Sequence, residues 1–258
     1  MFSNWLHENS WEEAKKLIER SKGVAIIPVG STEQHGYHLP LGTDTYVAIT
    51  LAEEAALKTD AVIAPPVWFG WSPHHMVLPG TITIRPEVLV EYLYDIIHSL
   101  KEHGLDKFII INGHRIVNIT WMQLAAERCQ RNLKVKVNIF DPAYMSKDII
   151  NKLDFGAVGH AEEIETSHMM YRYPDFVNLE KAVDNPIHPK DLYSVDPRYT
   201  HDTLCYVPSS IEEAKKHAQA SGGASGEPTK SSKEKGEIYH NHLINNLVRI
   251  IKDLQKEK

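Results

Sequence analysis

The sequence predicts an α/β protein with a doubly wound sheet. Three observations carry that prediction. Short apolar runs of strand length alternate with amphipathic helical stretches. The runs are apolar at every position, as in strands covered on both faces. The histidine-bearing loops follow the carboxyl ends of the runs, where such sheets bind ligands.

The elements follow in order. Ser10 with Glu13 three residues on reads as a capping box, so a helix is predicted over 10–20, stopped by Gly23. The first strand is Val24-Ala25-Ile26-Ile27-Pro28-Val29-Gly30, and a polar, turn-rich loop follows over 31–43. A helix over 44–57 leads to a short strand, Ala61-Val62-Ile63-Ala64. The loop over 65–80 carries Trp68, Trp71, His74 and His75. A helix over 85–103, with Pro86 as its first turn, ends at Gly104. The third strand, 107–111, runs into Asn112-Gly113-His114, a helix covers 118–132, and the fourth strand covers 135–140. A helix around Ile164 reaches Tyr173. Residues 185–232, rich in Pro, Gly and Ser, read as irregular, and a last helix spans about 235–254. No repeat or linker divides the chain, which reads as a single domain over 1–258.

Composition narrows the function. Of 258 residues, 42% are hydrophobic and 24% charged, as in an ordinary globular domain. A net charge of −6 argues against a nucleic-acid partner. Cys129 and Cys205 have no CxxC partners, so neither a disulfide framework nor a thiolate zinc site is indicated. The polar N-terminal stretch lacks the apolar core of a signal peptide. No apolar run approaches the ~20 residues of a membrane span. The expected location is cytoplasmic, with no membrane partner. Histidine stands out, with 15 copies.

The strongest motif is Gly30-Ser31-Thr32-Glu33-Gln34-His35-Gly36-Tyr37-His38, followed by Gly42-Thr43-Asp44. Glu33 and His35 are two apart and project to the same side of extended backbone. Asp44 returns at the next helix start, where a carboxylate with two oxygens can bridge two ions. Zn²⁺ accepts imidazole nitrogen and carboxylate oxygen, and Mn²⁺ suits the oxygen-rich part. Taken singly, each residue reads as a solvated loop residue or, for Asp44, as a helix cap. Together at a sheet edge they read as a site. His114 comes directly off the third strand. In Gly159-His160-Ala161-Glu162-Glu163-Ile164-Glu165, His160 and Glu165 are five apart, so they do not share a helix face. A metal-binding Glu165 and a free His160 for acid–base work are the sensible division, while Glu163 reads as an acidic residue favouring a helix N-terminus. Trp68, Phe69 and Trp71 are candidates for a flat wall, although core packing explains Trp68 and Phe69 as well.

These residues resemble the creatininase (creatinine amidohydrolase) family along nearly the whole chain. The resemblance rests on Pro28 to Gly36, Asp44, Pro79 to Ile84, Ile111 to His114, His160 to Ser167 and Ser225 to Gly236. It implies a three-layer α/β/α sandwich with a mainly parallel sheet, assembled as a homohexamer. It implies two divalent metal ions, Zn²⁺ and/or Mn²⁺. One is held by Glu33, Asp44 and His114, the other by His35, Asp44 and Glu165, and His160 moves protons as the catalytic residue. The implied reaction opens a small polar ring by hydrolysis of a cyclic amide C–N bond with a metal-bound hydroxide. Trp71, His75, Gly113, Arg115 and Glu162 are the substrate-binding candidates. Where family members acting on creatinine continue Asn-Gly-His with Tyr-Glu-Asn, this chain has Arg115-Ile116-Val117-Asn118, and their flap tryptophan has no counterpart in Asp141-Pro142-Ala143-Tyr144. These departures lie outside the metal core and admit a C–C hydrolase of a cyclic diketone derived from inositol as the alternative. From another class, a non-catalytic metal-binding oligomer is the rival, and a free His160 speaks against it. A nucleotide-binding α/β protein would need a glycine-rich turn after the first strand, which Pro28 to Glu33 does not supply. The later Gly222 to Pro228 lacks the Lys-Ser/Thr of a phosphate loop and reads as a turn cluster.

Overall fold

The computed structural model of the protein describes residues 3–186 and 210–257. Four parallel strands form its sheet in the order β2-β1-β3-β4. They are β1 (Val24–Val29), β2 (Val62–Ile63), β3 (Lys107–Asn112) and β4 (Lys136–Phe140). β1 and β3 pair over their full length, from Val24 opposite Lys107 to Val29 opposite Asn112. Every β1 residue is buried, as continuous apolarity requires.

Side chains alternate between two cores. Val24, Ile26, Ile109 and Ile111 enter one, and Ala25, Ile27, Phe108 and Ile110 enter the other. The first core is closed by α2 (Thr43–Leu57), α5 (Pro142–Met145), α6 (Lys147–Lys152), α7 (Glu163–Arg172) and α9 (Lys233–Leu254). The second is closed by α1 (Trp11–Arg20), α3 (Pro86–Glu102) and α4 (Ile119–Leu133). This is a three-layer α/β/α sandwich. The chain leaves β1 for β2 on one side, then returns across to β3 on the other. Right-handed crossovers running in opposite directions put α2 and α3 on opposite faces. They also place the topological switch point between the ends of β1 and β3, where the loops carrying Glu33, His35 and His114 emerge.

Local signals behave as their chemistry dictates. The Ser10–Glu13 capping box is formed, and Pro86 opens α3. Gly42, not Asp44, caps α2, so the Asp44 carboxylate is left for other partners. Gly113 lies so close to α2 that a Cβ there would sit 1.9 Å from the Asp44 carbonyl, which only glycine allows. The stretch read as irregular over 185–232 contains a helix, α8 (Ile211–Ser221), opened by a second capping box from Ser210 and Glu213. Residues 187–209, Cys205 included, lie outside the described residues. Among the described residues no helix is long and apolar enough to cross a membrane, and Cys129 is buried and unpaired with another cysteine.

Candidate metal centre

Glu33, His35, Asp44, His114 and Glu165 converge at the switch point, all buried. Asp44 stands at the middle. Its Oδ1 is 3.1 Å from His35 Nε2 and its Oδ2 is 3.0 Å from His114 Nδ1. One carboxylate therefore faces two ligand sets with its two oxygens. Glu33 Oε1 lies 3.3 Å from His114 Nδ1, and Glu165 Oε2 lies 3.9 Å from His35 Nε2.

The surroundings select which atom of each residue turns inward. His35 Nδ1–H donates to the Glu33 carbonyl at 3.1 Å, which leaves Nε2 as the inward nitrogen. Ser72 is a hub that the sequence did not reveal. Its hydroxyl donates a short hydrogen bond to Glu33 Oε2 and accepts from His114 Nε2–H at 3.3 Å. The Ser31 hydroxyl completes it at 2.7 Å. Glu33 is thus held by Oε2, and Oε1 has no hydrogen-bond partner; nor has Asp44 Oδ2. Buried carboxylate oxygens that face imidazole nitrogens are the donor set of a divalent cation. Three overlapping groups bring ligand atoms within 4.8 Å of one another: Glu33, His35 and Asp44; His35, His160 and Glu165; and Glu33, His75 and His160. The residues fit the expected metals.

Removing the hub tests this. Ser72→Ala is expected to weaken metal binding about 10–100-fold, the usual loss on deleting a partner behind a ligand. Equilibrium dialysis against Zn²⁺ checks it; unchanged affinity would leave Ser72 without that role.

Charge behaves accordingly. Burial pulls the His35 imidazole down, but the Asp44, Glu165 and Glu33 carboxylates more than offset it and hold its pKa at about 10. Burial likewise opposes, and Glu33 and Asp44 outweigh it, at His114, raised to about 9. Burial alone would raise Asp44, yet His35 and His114 bring it below the usual carboxylate range. Burial lifts Glu33, and it lifts Glu165 to about 7 against the pull of Arg115. Without metal, both imidazoles carry protons at neutral pH, and a cation must displace them. Metal uptake at pH 7 is expected to release about two protons from these imidazoles and a further fraction from Glu165, so apparent affinity climbs steeply between pH 7 and 9. Titration calorimetry in buffers of different ionisation enthalpy measures that number, and uptake without proton release would refute it.

His160 stands before α7 at the rim of the cluster. Its Nε2–H donates to the Gln34 carbonyl at 2.5 Å, so Nδ1 carries the lone pair, 3.6 Å from Glu33 Oε1. Burial and the neighbouring His35 push its pKa well down. Its backbone pairs with Ser225 in both directions. The His75 ring stacks on it at 4.0 Å. Gly36 N–H donates to Gln34 Oε1 and so orients that amide, whose Nε2 donates to His75 Nδ1 at 2.7 Å. His75 Nε2 then faces Glu33 Oε1 at 3.2 Å.

The other candidates fall in different places. Arg115 is buried, and its guanidinium lies between Glu162 and Glu165. Ile116, the next residue, holds φ +66° and Ala161 holds φ +51°. Such conformations cost about 1–3 kcal/mol each and persist where the surroundings enforce them. At Ile116 the enforcement is Asp141, whose Oδ2 accepts its N–H at 2.7 Å. Trp71 packs against the second core, and its backbone N–H donates to Asn118 Oδ1 at 3.3 Å. Trp68 lies edge-on to Tyr46, while Phe69 is exposed.

Known proteins are similar to this chain in sequence and fold. The family profile described as "Creatininase: Creatinine amidohydrolase" matches residues 7–251. A 3-dehydro-scyllo-inosose hydrolase of Thermotoga maritima is 34% identical over 179 residues, 66% of this chain and 57% of that protein's length. The creatinine amidohydrolase of Pseudomonas putida is 26% identical over 85% of this chain and 90% of its own. A crystal structure of creatinine amidohydrolase covers 100% of both chains at 25% identity, with a TM-score of 0.79. Two further creatininase structures, described as a Zn-Zn type and as an Mn form, each superpose with a TM-score of 0.78 at 25% identity; both cover 99% of this chain, and 99% and 100% of their own.

Proposed function

The chain belongs to the creatininase family of hydrolases, and from that membership we propose that it is a divalent-metal-dependent hydrolase that opens a small polar ring at a carbonyl, with a cyclic amide C–N bond as its target. The observation that carries the proposal is Asp44, which turns one oxygen to His35 and the other to His114. Glu33, Asp44 and His114 would hold one cation, and His35, Asp44 and Glu165 the other. Imidazole and carboxylate donors suit Zn²⁺ and Mn²⁺. When bound, such a pair supplies a Lewis acid for the carbonyl and lowers the pKa of water toward neutrality.

The chain's own part is proton handling. His160 Nε2–H is committed to the Gln34 carbonyl, so the working atom is Nδ1. A neutral imidazole takes a proton there and delivers it to the leaving nitrogen. The Gln34 carbonyl and the Glu33 carboxylate face the imidazolium that forms in between. Trp71, His75, Gly113, Arg115 and Glu162 form the substrate surround, with Arg115 and Glu162 entering it as a pair. The protein acts as one unit over 1–258, as a homohexamer in the cytoplasm.

A second reading keeps the metal centre and changes the bond. The 34% identity to an inosose hydrolase favours a cyclic diketone, with His160 protonating a leaving carbon. Turnover of a panel by the Zn²⁺- and Mn²⁺-loaded protein decides. Ring opening of creatinine or another cyclic amide supports the first reading. Turnover of the inositol-derived diketone alone supports the second. Silence on all of them favours a metal-binding protein without catalysis.

A further inference from the structure

Gln34 stands between the candidate ligands Glu33 and His35, yet its polar groups serve two other imidazoles. Its side-chain Nε2 donates to His75 Nδ1 at 2.7 Å and to the Gly223 carbonyl at 3.4 Å, while its Oε1 accepts the Gly36 N–H at 3.1 Å. Turned over, the amide would set its NH₂ against the Gly36 N–H and its oxygen against the Gly223 carbonyl. One orientation alone therefore satisfies its neighbours. The amide is also hemmed in, since a Cβ on Gly223 would lie 2.2 Å from Gln34 Oε1. The Thr81 hydroxyl ties the two loops together, accepting the Gln34 N–H at 3.2 Å and donating to the His75 carbonyl at 3.1 Å. The Gln34 main-chain carbonyl accepts from His160 Nε2–H.

The result is two stacked rings, centroids 4.0 Å apart, of opposite chemistry. His75 Nδ1 accepts, so its proton is on Nε2. His160 Nε2 donates, so its lone pair is on Nδ1. Both of these inward nitrogens lie near Glu33 Oε1, at 3.2 and 3.6 Å, and neither makes an aligned hydrogen bond with it. We infer that Gln34 is a positioning residue that fixes His75 as a donor through Nε2–H, and that His75 is a second catalytic residue, donating to the substrate carbonyl oxygen while His160 moves the proton. The inference rests on the hydrolase reading above. His75 cannot serve as the base at Nε2, because its lone pair is already engaged by Gln34. A fixed donor gains most at an oxygen that takes on negative charge, as the carbonyl oxygen does when it is attacked.

Neutron crystallography of the Zn²⁺-loaded wild type at neutral pH, with steady-state kinetics of His75→Phe and Gln34→Met on the cyclic amide the panel identifies, tests this. The proton of each ring is expected on Nε2. A His75 proton on Nδ1 overturns the part given to Gln34 and the donor with it. His75→Phe keeps a ring against His160 and removes the donor. Its kcat should fall about 10²–10³-fold at full metal content, with KM within about twofold, since the bond strengthens only as charge develops. Unchanged kcat overturns the catalytic role, and so does metal lost together with activity, which would make His75 a ligand. Should His75→Phe not fold, Gln34→Met carries the test. It frees the His75 tautomer without touching the main-chain carbonyl that holds His160, and kcat should fall about 10–100-fold at full metal content. An unchanged kcat there refutes the positioning role. A wild type silent on every cyclic amide overturns the hydrolase reading and the catalytic role together, whereas an active wild type with the wrong tautomer overturns this inference alone.

Discussion

His160→Ala is expected to lower turnover about 10²–10⁴-fold while the protein still binds its full complement of metal. The reason is positional. His160 is anchored through its backbone to Ser225 and through Nε2–H to the Gln34 carbonyl, contacts that concern orientation rather than coordination. Its Nδ1 is 3.6 Å from Glu33 Oε1, close enough to exchange a proton with a group bound between them. The imidazole also lies within 4.8 Å of ligand atoms of His35 and Glu165, so the variant's metal content matters as much as its rate. Metal analysis after dialysis separates the roles. Full content with slow turnover marks a proton carrier, whereas lost metal would make His160 a ligand.

Asp44→Asn is expected to reach further, abolishing turnover and both metal equivalents together. Among the described residues no other carboxylate faces His35 with one oxygen and His114 with the other. By contrast, loss of Glu33 or Glu165 removes a donor from one position only. The metal-free variant should also be less stable than metal-free wild type, by roughly 3–5 kcal/mol at pH 6, the scale of breaking a buried ion pair. The His35 pKa is raised to about 10, above the ordinary value of 6.5. Its pairing therefore stabilises the fold fully below pH 6.5 and ceases to do so as pH rises through about 10. The gap between the two proteins should narrow over that span, because an imidazole that sheds its proton no longer needs Asp44. Urea unfolding of both proteins at pH 6 and pH 9 measures it. A gap that widens with pH would reverse the assigned charge states.

Much of this site was legible because it follows strand ends. Continuous apolarity marks β1 and β3, and the candidate ligands Glu33, His35 and His114 follow directly after them. Asp44 was legible as a bridge only in combination with those, since alone it resembles a helix cap. Ser72 was not legible. It meets Glu33 across 39 residues of chain through a fold-dependent contact, and no local pattern distinguishes a serine that orients a ligand from one that faces water. The same holds for Arg115. Its place beside His114 suggested the pocket, but whether its fork meets a substrate or a carboxylate depends on α7, whose packing no local spacing reveals. The helix α8 was missed for a different reason. Its Ser-x-x-Glu start was present in the sequence, but the glycine, proline and serine around it outweighed that signal.

The pairing of His160 with Ser225 has a consequence for the order of events on the ribosome. All five candidate metal ligands lie between Glu33 and Glu165, so they are synthesised before residue 225 emerges. The backbone partner that steadies His160 comes last, together with Gly236, packed so closely on Ser167 that a Cβ would lie 1.9 Å from its carbonyl. A nascent chain halted short of residue 225 carries every candidate ligand but lacks the backbone bridge from Ser225 to His160. The contact that steadies His160 therefore forms only once Ser225 is in place, after every candidate ligand.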